Sequence, residues 1–364
     1  MMSDSTTILE ARNIRVERGG TVLLNIPSLS IEEGEILALI GPNGAGKTTF
    51  LQTLSYLLKP FRGEIFFGGE KVETHVSVLE YRRKLAMVFQ YPLLFDTTVF
   101  NNVASGLRIR GMKKKEIDDR VMENLKRFGI PHLSHRSAKT LSGGEAQRAS
   151  LARAFAIQPE ILLLDEPFAS LDPPTRDSLI EDLERILSQT RTTAIFATHD
   201  RLEALNLSDR VAVMNNGMIQ QIGSPEEVMN HPIDEFVASF VGVETILTGK
   251  VIRKHGGTFV ASISGKEIEA VGEVYLDETV ILCIRPENVT LSTQPRPEAT
   301  SARNVFVGRI LKIAPLGPYQ KVHLDCGFPL VAYVTRHSVE ELSLIEGNEV
   351  GASFKATGIT VIRK

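Results

Sequence analysis

Short apolar runs rich in Ile, Leu and Val alternate with longer segments of helical period through the N-terminal part of the chain. Runs this apolar are buried on both faces, which predicts a parallel sheet with helices covering each side. Residues 36–40, 161–164 and 193–198 read as buried strands, and each ends directly on a polar residue capable of chemistry. Ligands of open α/β sheets gather at the carboxyl ends of strands, so these three endings point to one site. Ser224, Pro225 and Glu227 predict a capped helix start running to about Asn230, which closes a first domain.

Beyond Val243 the period changes. Residues 246–291 and 303–364 alternate with period two in strands such as 249–253, 279–284, 321–324 and 330–334, and helical patterning nearly vanishes. A Pro-, Ser- and Thr-rich stretch at 292–301 reads as a linker between halves at 243–291 and 301–364, each resembling a small β-barrel piece. Both halves open with a Gly-containing strand (247–253 and 306–313), a slight internal similarity.

Composition narrows the classes. A chain of 364 residues with 23% charged and 43% apolar positions is globular and long enough for two or three domains. Lys and Arg number 41 against 44 Asp and Glu, a net charge of −3, so no global basic field favours nucleic acid or an anionic membrane. The basic run at 113–115 reads as a solvated surface turn. Cys283 and Cys326 lie far apart without a Cys-x-x-Cys pair, so neither a disulfide framework nor a zinc site is expected and a reducing cytosol fits. The first ten residues lack the features of a secretory signal, and no apolar stretch approaches the ~20 residues of a membrane helix. Docking from the cytosolic side onto a partner that does span remains open.

The sharpest chemistry lies at Gly41-Pro42-Asn43-Gly44-Ala45-Gly46-Lys47-Thr48, followed by Thr49, between a predicted strand and a predicted helix. In that context the pattern is a phosphate-binding loop: backbone N–H groups and a helix N-terminus cradle phosphates, Lys47 adds a charge and Thr48 can ligate magnesium. Asp165 and Glu166 end another strand, where a magnesium-holding and a water-activating carboxylate would be needed. Alone, the pair also fits the start of an ordinary loop.

Leu141-Ser142-Gly143-Gly144-Glu145-Ala146-Gln147-Arg148 resembles the signature of ABC-type ATPases. Gln90 after Met87-Val88-Phe89, the Ser170-Leu171-Asp172 turn and His199 follow in that family's order, and the resemblance covers roughly residues 8–240. It implies an α/β P-loop NTPase domain over 1–242, with a helical subdomain near 90–160. It also implies a head-to-tail homodimer binding ATP and Mg²⁺ between one subunit's phosphate loop and the other's Ser142, Gly143, Gly144 and Glu145. Within the family's scheme Thr48, Gln90 and Asp165 hold Mg²⁺, Glu166 activates water, Lys47 and His199 contact phosphate, and Asp172 meets the partner. The adenine-stacking aromatic of the family is replaced by Arg18, which leaves the Arg18 guanidinium or Val16 to contact the base and predicts weaker base selectivity.

After Phe236-Val237-Ala238-Ser239-Phe240-Val241-Gly242, and with Ile284-Arg285-Pro286-Glu287 closing its first half, the all-β tail expected over 243–364 resembles an OB-like regulatory domain of importer ATPases, of the TOBE/Mop type; its second half is similar to small molybdate-binding domains. That resemblance rests on Ser301-Ala302-Arg303-Asn304, Gly308, Thr335-Arg336-His337-Ser338 and Phe354-Lys355-Ala356-Thr357. It implies an importer of molybdate or tungstate, with Ser301, Arg303, Ser338 and Lys355 as candidate ligands for the oxyanion; the same side chains also fit capped turns and solvated cations. Implied partners are two integral-membrane permease subunits, whose short coupling helix a groove beside residues 91–95 would receive, and an external substrate-binding protein. No nucleic acid is expected, and the place is the cytoplasmic face of the inner membrane. Importers of sulfate, sugar or polyamine, and a soluble ABC-type ATPase with a sensing tail, are the alternatives.

Overall fold

The computed structural model describes residues 6–293 and 301–363, so most of the expected linker lies outside the described residues. The chain forms two compact units, 1–225 and 226–364, a division that falls ahead of the expected 242/243 position. The helix Pro225–Asn230 forms as predicted, but all of it except Pro225 belongs to the second unit.

The first unit is built on a six-stranded sheet in the order Met218–Gly223, Arg210–Asn215, Ile36–Ile40, Thr193–Thr198, Ile161–Asp165, Leu85–Val88. All neighbours are parallel except the first pair. Ile161–Asp165 and Thr193–Thr198 are buried at every position because both faces of the sheet are covered, though one of them by a second sheet as well as a helix rather than by helices alone. A second, antiparallel sheet, unanticipated from the sequence, joins Thr21–Glu32, Thr7–Arg18, Arg62–Phe67 and Glu70–Lys71. Leu9, Ile14, Leu24, Ile26 and Ile65 from this sheet pack into one core with Leu37, Leu39, Leu163 and Ile195 of the parallel sheet. Three helices, Val99–Ile109, Lys114–Arg127 and Gly143–Ala156, lie in the 90–160 region, the first two of them amphipathic. Lys114 and Lys115 open the second of these, so the basic run is solvated as expected but begins a helix rather than a turn.

The second unit holds two five-stranded sheets. One runs Lys266–Val271, Thr258–Ile263, Thr245–His255, Thr279–Ile284, Ile359–Arg363; the other runs Thr290–Ser292, Glu349–Phe354, Asn304–Leu316, Tyr319–Asp325, Pro329–Thr335. The two halves are interlaced. The last strand of the chain completes the first sheet against Thr279–Ile284, while Thr290–Ser292 joins the second. One continuous core, including Phe259, Leu282, Leu324 and Phe354, serves both sheets, so neither half is an independent barrel. Cys283 and Cys326 are buried free thiols, each pushed up to about 12 chiefly by burial. Among the described residues no helix is long and apolar enough to cross a membrane.

Candidate nucleotide site

Register explains why the sequence-distant motifs meet. Ile40 pairs with Thr198, Asp165 with Ala197 and Val88 with Leu164, so the chain leaves all four strands at one edge. Gly41, His199, Glu166 and Gln90 follow within two residues of those ends. Gln90 is half-buried there.

The Gly41–Thr49 loop turns into the helix Lys47–Leu54, whose N-cap is Gly46 in the left-handed region at φ 101°. Only glycine adopts that conformation freely. At Gly41 the constraint is space: a Cβ would lie 2.3 Å from the Met214 carbonyl oxygen. Lys47 is 5% exposed, and its Nζ donates to the carbonyls of Gly41 at 2.8 Å and Pro42 at 3.1 Å, folding the cation back onto the loop. Burial pulls its pKa down, and Glu166 and Asp165 oppose that shift. The Glu166 carboxylate lies 3.8 Å from Nζ.

The Thr48 hydroxyl donates to Asp165 Oδ1 at 2.8 Å, so two of the three residues implied for Mg²⁺ are already neighbours. Burial raises the Asp165 pKa, with Thr48 opposing it, so a nearby cation is what would favour the charged form. Among the described residues no group of three or more His, Cys, Asp or Glu side chains is placed to hold a metal.

Glu166 is a non-glycine residue at φ 46°, a conformation that costs on the order of 1–3 kcal/mol. Its amide donates to Ala197 O at 2.9 Å, which locks the strained turn to the neighbouring strand. The turn carries the carboxylate to 3.3 Å from His199 Nδ1. A cavity of about 240 Å³ is lined by Leu23, Asn43, Gly44, Ala45, Gly46, Lys47, Thr48, Thr49 and Glu166.

The remaining predicted residues lie elsewhere. Ser142 caps the helix Gly143–Ala156: its Oγ accepts from the Glu145 amide at 3.3 Å, while its own amide donates to Glu145 Oε2 at 2.7 Å. That backbone hydrogen bond pulls the Glu145 pKa down. Asp172 caps the helix Pro173–Thr190 by accepting from the Thr175 amide at 3.2 Å. Neither Ser142, Gly143, Gly144, Glu145 nor Asp172 lines the phosphate-loop cavity. Arg18 is exposed at the end of its strand and does not line it either. Val16 is 3% exposed in the core, which removes it as a base contact. Leu23, from the unanticipated antiparallel sheet, supplies the apolar wall instead. Gly217 holds that wall in place, receiving the Asn25 amide at 2.8 Å and donating to Ala45 O at 2.9 Å. Nothing in the local sequence signals these two, because their role depends on a sheet contact across the chain.

In the second unit, Ser301 and Lys355 line one cavity of about 380 Å³ with Asn288, Thr290, Ser353 and Thr357. Arg303 and Ser338 do not line it. The Ser338 amide and hydroxyl are taken up by the Thr335 side chain, which caps the helix Arg336–Glu341. Asn304 is 2% exposed and acts as a tie: its amide group pairs with the Glu269 N–H and C=O at 2.8 Å each.

Comparison with known proteins gives the family. A profile of the ABC transporter family matches residues 24–169, and one of the TOBE domain matches 300–361. The molybdate/tungstate import ATP-binding protein WtpC of Pyrococcus abyssi is 39% identical over 92% of the chain and 94% of its own length. The spermidine/putrescine import ATP-binding protein PotA of Legionella pneumophila is 37% identical over 89% of each. A solved dimeric ATP-binding cassette in a post-hydrolysis state, bound to ADP and Pi, superposes with a TM-score of 0.55 at 28% identity, covering 60% of this chain and 99% of that one.

Proposed function

The chain belongs to the ATP-binding subunits of ABC transporters and is an ATPase coupled to solute import; from that premise we propose that its solute is a tetrahedral oxyanion, molybdate or tungstate. The observation that carries this reading is the likeness to the Pyrococcus import protein along nearly the whole chain. The tail supports it chemically. Among the described residues the cavity at Ser301 and Lys355 offers hydroxyls, an amide and one ammonium and no carboxylate, a lining suited to a dianion. A polyamine, the cargo named for the Legionella relative, would need the opposite charge at such a sensing site.

The residues divide the work. Lys47 releases the Gly41 and Pro42 carbonyls to meet phosphate oxygens, and the loop amides orient the nucleotide. Thr48, Asp165 and Gln90 would hold Mg²⁺, which neutralises phosphate charge when bound. Glu166 accepts the proton of the attacking water at its carboxylate, and His199 holds that carboxylate from the Nδ1 side. Because the signature residues lie outside the phosphate-loop cavity, we assign them to the second subunit's site in a homodimer. There the Ser142 hydroxyl, which accepts from Glu145, still carries a proton to donate.

The exposed side chains of Tyr91, Leu93 and Phe95 form the surface we assign to the permease subunits. Arg153 steadies it by donating to Leu93 O at 2.7 Å, and Asn102 does so through both the Phe95 N–H and C=O. Its place is then peripheral, on the cytoplasmic face of the membrane, with an external binding protein supplying the cargo.

Calorimetric titration of the full chain with molybdate, tungstate and sulfate tests the substrate class. Binding of the two larger oxyanions with sulfate excluded is the expected result. Heat with none of the three would overturn the oxyanion reading of the tail.

A further inference from the structure

Behind Glu166 lies a small cavity of about 70 Å³ whose lining includes Glu166, Arg176, Thr198, His199, Asp200 and Glu203. Three of these, Arg176, Asp200 and Glu203, have no place in the reading above. Arg176 stands in the first turn of the helix Pro173–Thr190, and its amide donates to Asp172 O at 2.9 Å, so it is rigidly joined to the Asp172 turn. Its guanidinium pairs with Asp200, and its Nε lies 3.1 Å from Glu203 Oε1. Glu203 is 5% exposed, an expensive place for a carboxylate without a cationic partner.

The acidic side of the network grips the chain on both sides of His199. Thr198 donates its hydroxyl to Glu203 Oε2, and the same hydroxyl accepts from the Asp200 amide at 3.0 Å. Asp200 in turn caps the helix Arg201–Leu207 by accepting from Leu202 N at 2.8 Å. His199 is itself half-exposed and sits between Thr198, which is tied to Glu203, and Asp200, and both of those carboxylates meet the one guanidinium of Arg176.

We propose that Arg176 and Glu203 are positioning residues for ATP hydrolysis: their ion pair clamps the Thr198–Asp200 chain to the Asp172 helix and thereby holds His199 against Glu166. The proposal rests on the ATPase assignment of Glu166 and His199. Without the clamp the imidazole keeps its chemistry but loses its bearing, while the phosphate loop, built from other residues, is untouched. Turnover and nucleotide affinity should therefore separate.

Steady-state ATPase assays and equilibrium ATP binding on the full chain test this. Arg176→Met, close in length but uncharged, should lower kcat about tenfold with ATP affinity within about threefold of the parent. Arg176→Lys should recover much of the loss, and Glu203→Gln should lower kcat in the same direction. Parent-like turnover in Arg176→Met, or affinity falling in step with kcat, would overturn the proposal. If Arg176→Met fails to fold, Glu203→Gln and Arg176→Lys carry the same comparison. His199→Ala is the reference arm: parent-like turnover there sinks the ATPase role of His199 itself, a failure distinct from that of the clamp.

Discussion

Two sites, one in each unit, differ in how their residues are brought together. At the phosphate loop, five parallel strands run side by side, and whatever follows their carboxyl ends converges whether or not the sequence is close. In the tail the strands are antiparallel, neighbouring ends point in opposite directions, and a residue's neighbours are fixed only by register and by which strand crosses into which sheet. Lys47, Thr48, Asp165, Glu166 and His199 accordingly form one constellation, whereas only Ser301 and Lys355 of four tail candidates share a cavity. The comparison teaches that strand-end chemistry is safe to read in a parallel sheet and unsafe in an interlaced barrel.

The largest expected effect tests the convergent site. Glu166→Gln should cut kcat by about 10²–10⁴-fold while ATP still binds, measured by single-turnover hydrolysis and equilibrium binding; loss of binding with little loss of turnover would break the assignment. Gly41→Ala comes next. Its new Cβ meets the Met214 carbonyl, a backbone atom that cannot step aside, and a cost of about 1–3 kcal/mol should appear as a lowered thermal midpoint with weakened ATP affinity. An unchanged midpoint would mean that the loop is not held against the Met214 strand as described.

The tail offers a finer contrast. Lys355→Ala should weaken molybdate binding by about tenfold in calorimetry, roughly one charge-assisted hydrogen bond, while Ser338→Ala leaves it unchanged. Weakened binding in both variants would restore the sequence-based ligand set over the structural one. The smallest effect concerns the cap of the signature helix. The folded Glu145 pKa lies below its unfolded value, so its contribution to stability is full above the ordinary glutamate range and lost as pH falls through the folded value. Thermal midpoints should therefore fall on acidification slightly more in the parent than in Glu145→Gln; parallel curves would count against the cap.

What was legible in the sequence is local. Five consecutive apolar residues ending at Gly41 announce a strand feeding a phosphate loop, because buried parallel strands need apolar side chains on both faces. The Ser142–Glu145 capping box is equally local, both hydrogen bonds closing within one turn, although in the sequence these residues read only as the family's signature. The antiparallel sheet at Thr7–Glu32 escaped because its role as the wall beside the loop, through Leu23, is set by packing on a distant sheet. Arg176 and Glu203 escaped for a similar reason: a helix residue and a residue past a strand end become partners only when the two elements lie side by side.

The sequence by itself determined which residues could do chemistry, the parallel character of the first sheet and the change to period two beyond Val243. Each of these depends on side-chain type and spacing within a single element. Tertiary structure alone decided that Val16 is core and Leu23 is wall, that Ser338 serves a helix cap, and that the two tail halves exchange strands around one core. Those outcomes follow from register and packing, where the free energy is shared among residues far apart in the chain and no local pattern records it.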